Sequence, residues 1–158
     1  MSSNLYVIDT TAESLVLLPP ASTVYPNLLT YSFYNLSSGV GASFQNFYGE
    51  EVAVLRMSAH FHNETGGATG FWSFDAKIDG TSFLSQGSPS PLTIPVPFFN
   101  GFSYSDVWEA SDMANPPRLG VGSTFQLIST IPSNAGSGNA VFDVCMVPSS
   151  QLALLGVD

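Results

Sequence analysis

Positive charge is what this chain has least of. Arg56, Lys77 and Arg118 are its only basic residues among 158, against 12 acidic ones, for a net charge of −9 with both histidines neutral. Nucleic-acid binding needs clustered Lys and Arg to neutralise phosphates, and attachment to an anionic membrane surface needs the same. Neither is expected as a direct partner. A single cysteine, Cys145, leaves no intrachain disulfide framework. With no activating group beside it in the sequence, it reads as a small hydrophobe buried in a strand rather than a reactive thiol. No apolar run approaches the roughly 18 residues of a membrane-spanning helix; Leu15-Val16-Leu17-Leu18 stops at Pro19-Pro20. The start, Met1-Ser2-Ser3-Asn4-Leu5, has neither the basic nor the apolar region of a secretory signal, so synthesis in a cytoplasm without export is expected. Charged residues of both signs make up only 9 % of the chain, far below the roughly 25 % of an ordinary soluble domain. The polar surface must therefore come from Ser, Thr, Asn, Gln and Gly.

What is present suits an all-β fold. Hydrophobic residues at 44 % and aromatic residues at 13 % supply a core, and 14 Gly with 11 Pro supply turns. The length fits one domain, since domains commonly run to roughly 100–150 residues.

Alternation of apolar and polar residues dominates. The clearest strand is Glu51–His62, with Ala53, Leu55, Met57, Ala59 and Phe61 on one face and Val52, Val54, Arg56, Ser58, His60 and His62 on the other. Further strands are expected at Leu28–Leu36, Phe71–Ile78, Phe102–Glu109, Ser123–Ile131 and Ala140–Val147. In Phe71–Ile78, one face holds Trp72, Phe74, Ala76 and Ile78. Asp79-Gly80 then supplies two positive-φ positions for a type I′ hairpin, with Thr81–Ser85 returning. Leu92–Phe99 contains Pro95 and Pro97, so it belongs on an edge or in an extended connection. Turn clusters fall at Ser37–Gly41, Asn63–Gly70, Gly87–Pro91, Ser111–Pro117 and Ser133–Asn139, and Ser111–Ala114 is a candidate for a single helical turn. Seven or eight strands with this spacing predict an antiparallel β-sandwich, with jelly-roll topology favoured by the long strands. The predicted division is an N-terminal arm or extra hairpin over 1–27 and a jelly-roll sandwich over 28–158. The arm, with short apolar runs at Leu5–Ile8 and Leu15–Leu18, is expected to contact a neighbouring subunit or a decorated surface.

Several residue sets bear on chemistry. In His60-Phe61-His62-Asn63-Glu64, positions i, i+2 and i+4 share one face of a strand, as a metal site requires. The His-x-His pair resembles the cupin pattern. However, Val54 stands where that pattern has Gly, Glu64 follows too closely, and no third His exists. The set reads as a polar outer face, with Glu64 drawn into a turn and no tight metal. Asp75, Asp79, Asp106, Glu109 and Asp112 are numerous enough for a pair of catalytic acids, but turn and solubility roles account for them. No Gly-x-Ser-x-Gly elbow or phosphate loop occurs, and Gly39-Val40-Gly41 reads as a turn. Trp72, Trp108, Tyr104, Phe98, Phe99 and Phe102 could form core, subunit interface or a sugar-stacking platform. No catalytic, cofactor or metal residue is assigned, and an enzyme is not expected.

In strand number, in the strands Tyr31–Leu36 and Phe125–Ile131, and in the hydrophobic last strand Val141–Val147, the chain resembles the jelly-roll decoration proteins of tailed-phage heads and, more loosely, trimeric TNF/C1q-like domains. The resemblance spans most of the chain without a diagnostic motif. It implies a homotrimeric decoration (cement) or minor capsid protein at the virion surface, with itself and other shell proteins as partners. The alternative expectation is a carbohydrate- or receptor-binding module.

Overall fold

A computed structural model describes residues 6–9, 14–17, 27–34, 41–63, 70–95, 101–130 and 138–156. In chain order the strands are β1 (Tyr6–Asp9), β2 (Ser14–Leu17), β3 (Leu29–Tyr34), β4 (Gly41–Gln45), β5 (Val52–Asn63), β6 (Phe71–Ile78), β7 (Thr81–Ser82), β8 (Gly87–Ser88), β9 (Leu92–Pro95), β10 (Ser103–Ala110), β11 (Arg118–Leu119), β12 (Thr124–Thr130) and β13 (Gly138–Pro148). Two short 3-10 segments, Leu84–Gln86 and Ser149–Leu155, complete the described elements.

The protein is an all-β antiparallel sandwich. The first sheet has the order β3-β13-β5-β10-β8, with β11 also paired to β5. The second has the order β4-β12-β6-β7, with β9 also paired to β6. The connections β3 to β4, β4 to β5, β5 to β6, β9 to β10 and β12 to β13 each pass from one sheet to the other. The inner faces meet through aromatic contacts: Phe33 with Phe125, Phe74 with Phe142, and Phe61 with Trp72 edge-on, with centroids 6.2, 5.0 and 5.6 Å apart. β1 and β2 pair with each other as a separate two-stranded sheet.

Alternation in β6 places Trp72, Phe74 and Ala76 in the core, as the sequence predicts. The Asp79-Gly80 turn has φ of 48° and 82° at its two residues, the left-handed pair a type I′ hairpin needs. The Asp79 side chain adds a reason for aspartate here. Its Oδ1 accepts the Thr124 N–H at 2.8 Å, tying the turn to β12. Among the described residues β9 pairs only with β6, which puts Pro95 on an edge strand.

Four expectations about the backbone are corrected. The return after Asp79-Gly80 is a strand only over Thr81–Ser82, because the chain then turns into the 3-10 segment Leu84–Gln86. Ser111–Ala114 is not helical; the Asp112 carboxylate accepts the N–H groups of Ala114 and Asn115 and holds a bend instead. Third, β5 does not keep one face along its length. Cys145 pairs with Arg56 and Met146 with Val54, which leaves Leu55 as an extra residue in a β-bulge. The bulge exchanges the two faces. Val52 and Val54 join Met57, Ala59 and Phe61 in the main core, while Ala53 and Leu55 turn outward. There they form a second small core with Val147, covered by Met113, Leu152 and Leu155. Gly41, read as the end of a turn, begins β4, and β8, β11 and the Ser149–Leu155 segment were not anticipated.

Candidate functional site

The pairing directions put the end of β3, the start of β4, the end of β5, the start of β6, the end of β9, the start of β10, the end of β12 and the start of β13 at one end of the sandwich. Exposed aromatic side chains at these strand ends are Tyr34, Phe71, Phe102 and Tyr104. Of the predicted stacking set, Phe102 and Tyr104 are therefore at the surface. Trp72 and Trp108 are not, since both are fully buried. Phe98 and Phe99 lie outside the described residues. Trp108 packs edge-on against Phe83 and donates through Nε1 to the Leu84 carbonyl at 3.2 Å.

The opposite end is organised by Asn46, which is buried. Its Nδ2 donates to the carbonyls of Glu50, Leu119 and Gly120 at 2.9, 2.9 and 3.1 Å, and its Oδ1 accepts the Tyr48 N–H at 2.9 Å. Its backbone N–H donates to Ser123 and its carbonyl accepts from Gly122 N–H, both at 2.9 Å. One amide side chain thus ties the β4–β5 connection to the turn before β12. That connection holds Phe47 with 82 % of its surface exposed, followed by the exposed Tyr48. Both line a groove of about 220 Å³ with Tyr31, Phe44, Val52 and Met146. Tyr31 and Phe44 stack across the gap between β3 and β4, with centroids 4.3 Å apart and an interplanar angle of 21°. Sequence reasoning missed this surface. Its signal was Asn46-Phe47-Tyr48 before a Gly, an amide able to bond nearby backbone next to two aromatic residues.

On the outer face of the first sheet, β5 presents Arg56, Ser58, His60 and His62. Their cross-strand neighbours are Glu109, Val107, Ser105 and Ser103 on β10, and Cys145, Asp143, Val141 and Asn139 on β13. His60 is exposed and His62 half-buried, with His62 Nδ1 2.7 Å from Ser103 Oγ. Glu64 lies outside the described residues. Among the described residues, no three His, Cys, Asp or Glu side chains gather as a metal site. Cys145 is half-buried rather than buried, and desolvation pushes its thiol above the usual range, with the nearby Arg56 charge opposing.

The five carboxylates considered as catalytic acids are dispersed. Asp75 sits 3.5 Å from Lys77 Nζ on β6 of the second sheet, and Glu109 sits 3.9 Å from Arg56 Nε on β10 of the first. Asp79 and Asp112 bond backbone amides in turns. Asp106 accepts the N–H of Val107. Among the described residues, no partner is shared by two of them.

Compared by sequence, the chain matches no protein-family model and no curated protein.

Proposed function

We propose that this chain is a structural assembly protein, a trimer-forming jelly-roll subunit that decorates or cements the outside of a viral shell. The observation that carries the reading is the loop anchored by Asn46. A soluble monomer gains nothing by holding Phe47 in water on so well-bonded a scaffold, whereas an interface uses rigid, protruding aromatic anchors. The strand order supports the jelly-roll part: eight main strands divide into β3-β13-β5-β10 and β4-β12-β6-β9, with every successive pair except β6 and β9 crossing between sheets. The low charge of the surface supports a role in packing against protein rather than against nucleic acid. Light scattering and native mass determination test the reading. The expected mass is three times 16.8 kDa, in solution or after cross-linking on the particle. Phe47→Ser should leave stability within about 0.5 kcal/mol, as for other exposed substitutions, while abolishing assembly or attachment. A monomer at every concentration, with assembly unaffected by this substitution, rules the reading out.

A second reading is a glycan- or receptor-binding module, favoured by the Tyr31–Phe44 stack beside Phe47 and Tyr48. Aromatic faces stack on the apolar side of a sugar ring, and neutral side chains such as Gln45 and Thr30 suit its hydroxyls. Glycan-array binding that is lost in Phe47→Ala, in a protein that stays monomeric, would favour this module over the assembly subunit.

A further inference from the structure

We propose that His60 and His62 form a two-imidazole chelate for a borderline divalent transition metal of the copper, nickel or zinc type on the outer face of β5. A strand rises 3.2–3.4 Å per residue and returns to the same face every second residue. The two rings therefore start roughly 6.5 Å apart on one side of the sheet, a separation that two imidazole arms span around one ion. Both positions reach solvent. Their cross-strand neighbours are Ser105, Val141, Ser103 and Asn139, none of them a cation. The nearest basic residue on this face of β5, Arg56, lies four residues from His60 and is engaged by Glu109.

The second ring has a cross-strand partner able to hold it. His62 Nδ1 lies 2.7 Å from Ser103 Oγ. With Nδ1–H donating to that hydroxyl, the Nε2 lone pair is left free and the ring is held, which is how outer partners orient metal-bound histidines. A metal held this way has two protein ligands only. Its other positions stay with water, so the site is open and exchangeable rather than a closed structural one. Imidazole donors place copper ahead of nickel and zinc. A chain with net charge −9 concentrates cations at its surface.

The test is calorimetric titration of the full chain with copper(II), nickel(II) and zinc(II) chlorides in turn, together with electron paramagnetic resonance of the copper form. The expected result is one ion per chain, copper tightest, with coupling from two imidazole nitrogens in the spectrum. His60→Ala and His62→Ala should each weaken copper binding at least about tenfold, and Ser103→Ala by roughly 10-fold, the usual effect of removing an outer partner. His60 is exposed, so His60→Ala should melt at the wild-type temperature, which separates lost ligation from lost folding. The proposal is overturned by absence of binding at millimolar copper, by undiminished binding in His60→Ala, or by a spectrum with fewer than two nitrogen couplings.

Discussion

Asn46 and Gly87 show how single residues constrain this fold. Replacing Asn46 by Ala leaves the carbonyls of Leu119 and Gly120 and the N–H of Tyr48 without their amide partner. Unmet buried polar groups cost roughly 1–3 kcal/mol, so Asn46→Ala should lower the unfolding free energy by about that much in a denaturant titration. Asn46→Asp should be no better at neutral pH, because a carboxylate cannot donate to the three carbonyls. At Gly87 a Cβ would fall within the Trp108 indole. The ring is fully buried and bonded to Leu84, so it has nowhere to move. Gly87→Ala should therefore cost about 1–3 kcal/mol as overpacking, visible as a lower melting temperature. Two carboxylates give the acid response. Arg118 at 3.0 Å, then Ser149 at 2.9 Å, hold Glu51 below the usual carboxylate range. The Thr124 amide, then Ser123, do the same for Asp79. Both groups bind protons less tightly folded than unfolded. Their stabilisation is fully present above the ordinary carboxylate pKa of about 4 and is lost as pH falls through their lowered folded values. Glu51→Gln with Asp79→Asn should flatten the decline of melting temperature below about pH 4 relative to the parent.

Among the elements, β5 has the largest influence because it joins three strands and serves two cores. The bulge at Leu55 is what lets Val54 and Met57 face the same interior. Deleting Leu55 would restore strict alternation and force either Val52 and Val54 outward or Met57, Ala59 and Phe61 outward. That deletion should abolish cooperative unfolding, whereas Leu55→Ala should cost only the roughly 2–5 kcal/mol of a truncated buried leucine; calorimetry distinguishes the two. Most of the sheet framework was legible in the sequence, because β6, β12 and β13 alternate cleanly and Asp79-Gly80 announces its own turn. The bulge was not legible. Val52-Ala53-Val54-Leu55 is apolar throughout, so either face reads as the inside. What decides it is β13, about ninety residues away, with the Ser149–Leu155 segment covering the second core. β4 was hidden because Gly41 and Ser43 weaken its pattern and only Phe44 marks it. His60 and His62 were legible as face-sharing residues, since that follows from period two. Their support from Ser103 was not, because it depends on the register between β5 and β10.

At the scale of the whole molecule, charge and shape separate. Each of the three cations is matched to a carboxylate: Arg56 to Glu109, Lys77 to Asp75 and Arg118 to Glu51. Such exposed pairs contribute little to stability, but they leave no free positive patch. Copies of the chain therefore repel one another at long range. Self-association should strengthen between about 10 mM and 150 mM salt, as the screening length falls from roughly 30 Å to 8 Å, in a sedimentation titration. A weakening over that interval would point to attraction between opposite charges and count against a surface held together by Phe47 and its aromatic neighbours. The two ends of the sandwich also differ as places to splice in foreign sequence. At one end, Asn46, Asp79 and Glu51 lace neighbouring turns together, so a peptide grafted at Gly49 would pull apart bonds that hold three connections at once. At the other, the chain passes from one sheet to the other between β3 and β4, between β5 and β6 and between β12 and β13. A tag grafted at Gly66-Gly67 would interrupt none of the Asn46, Asp79 or Glu51 bonds. A tag placed there would leave the end that carries Phe47 and Tyr48 as it is.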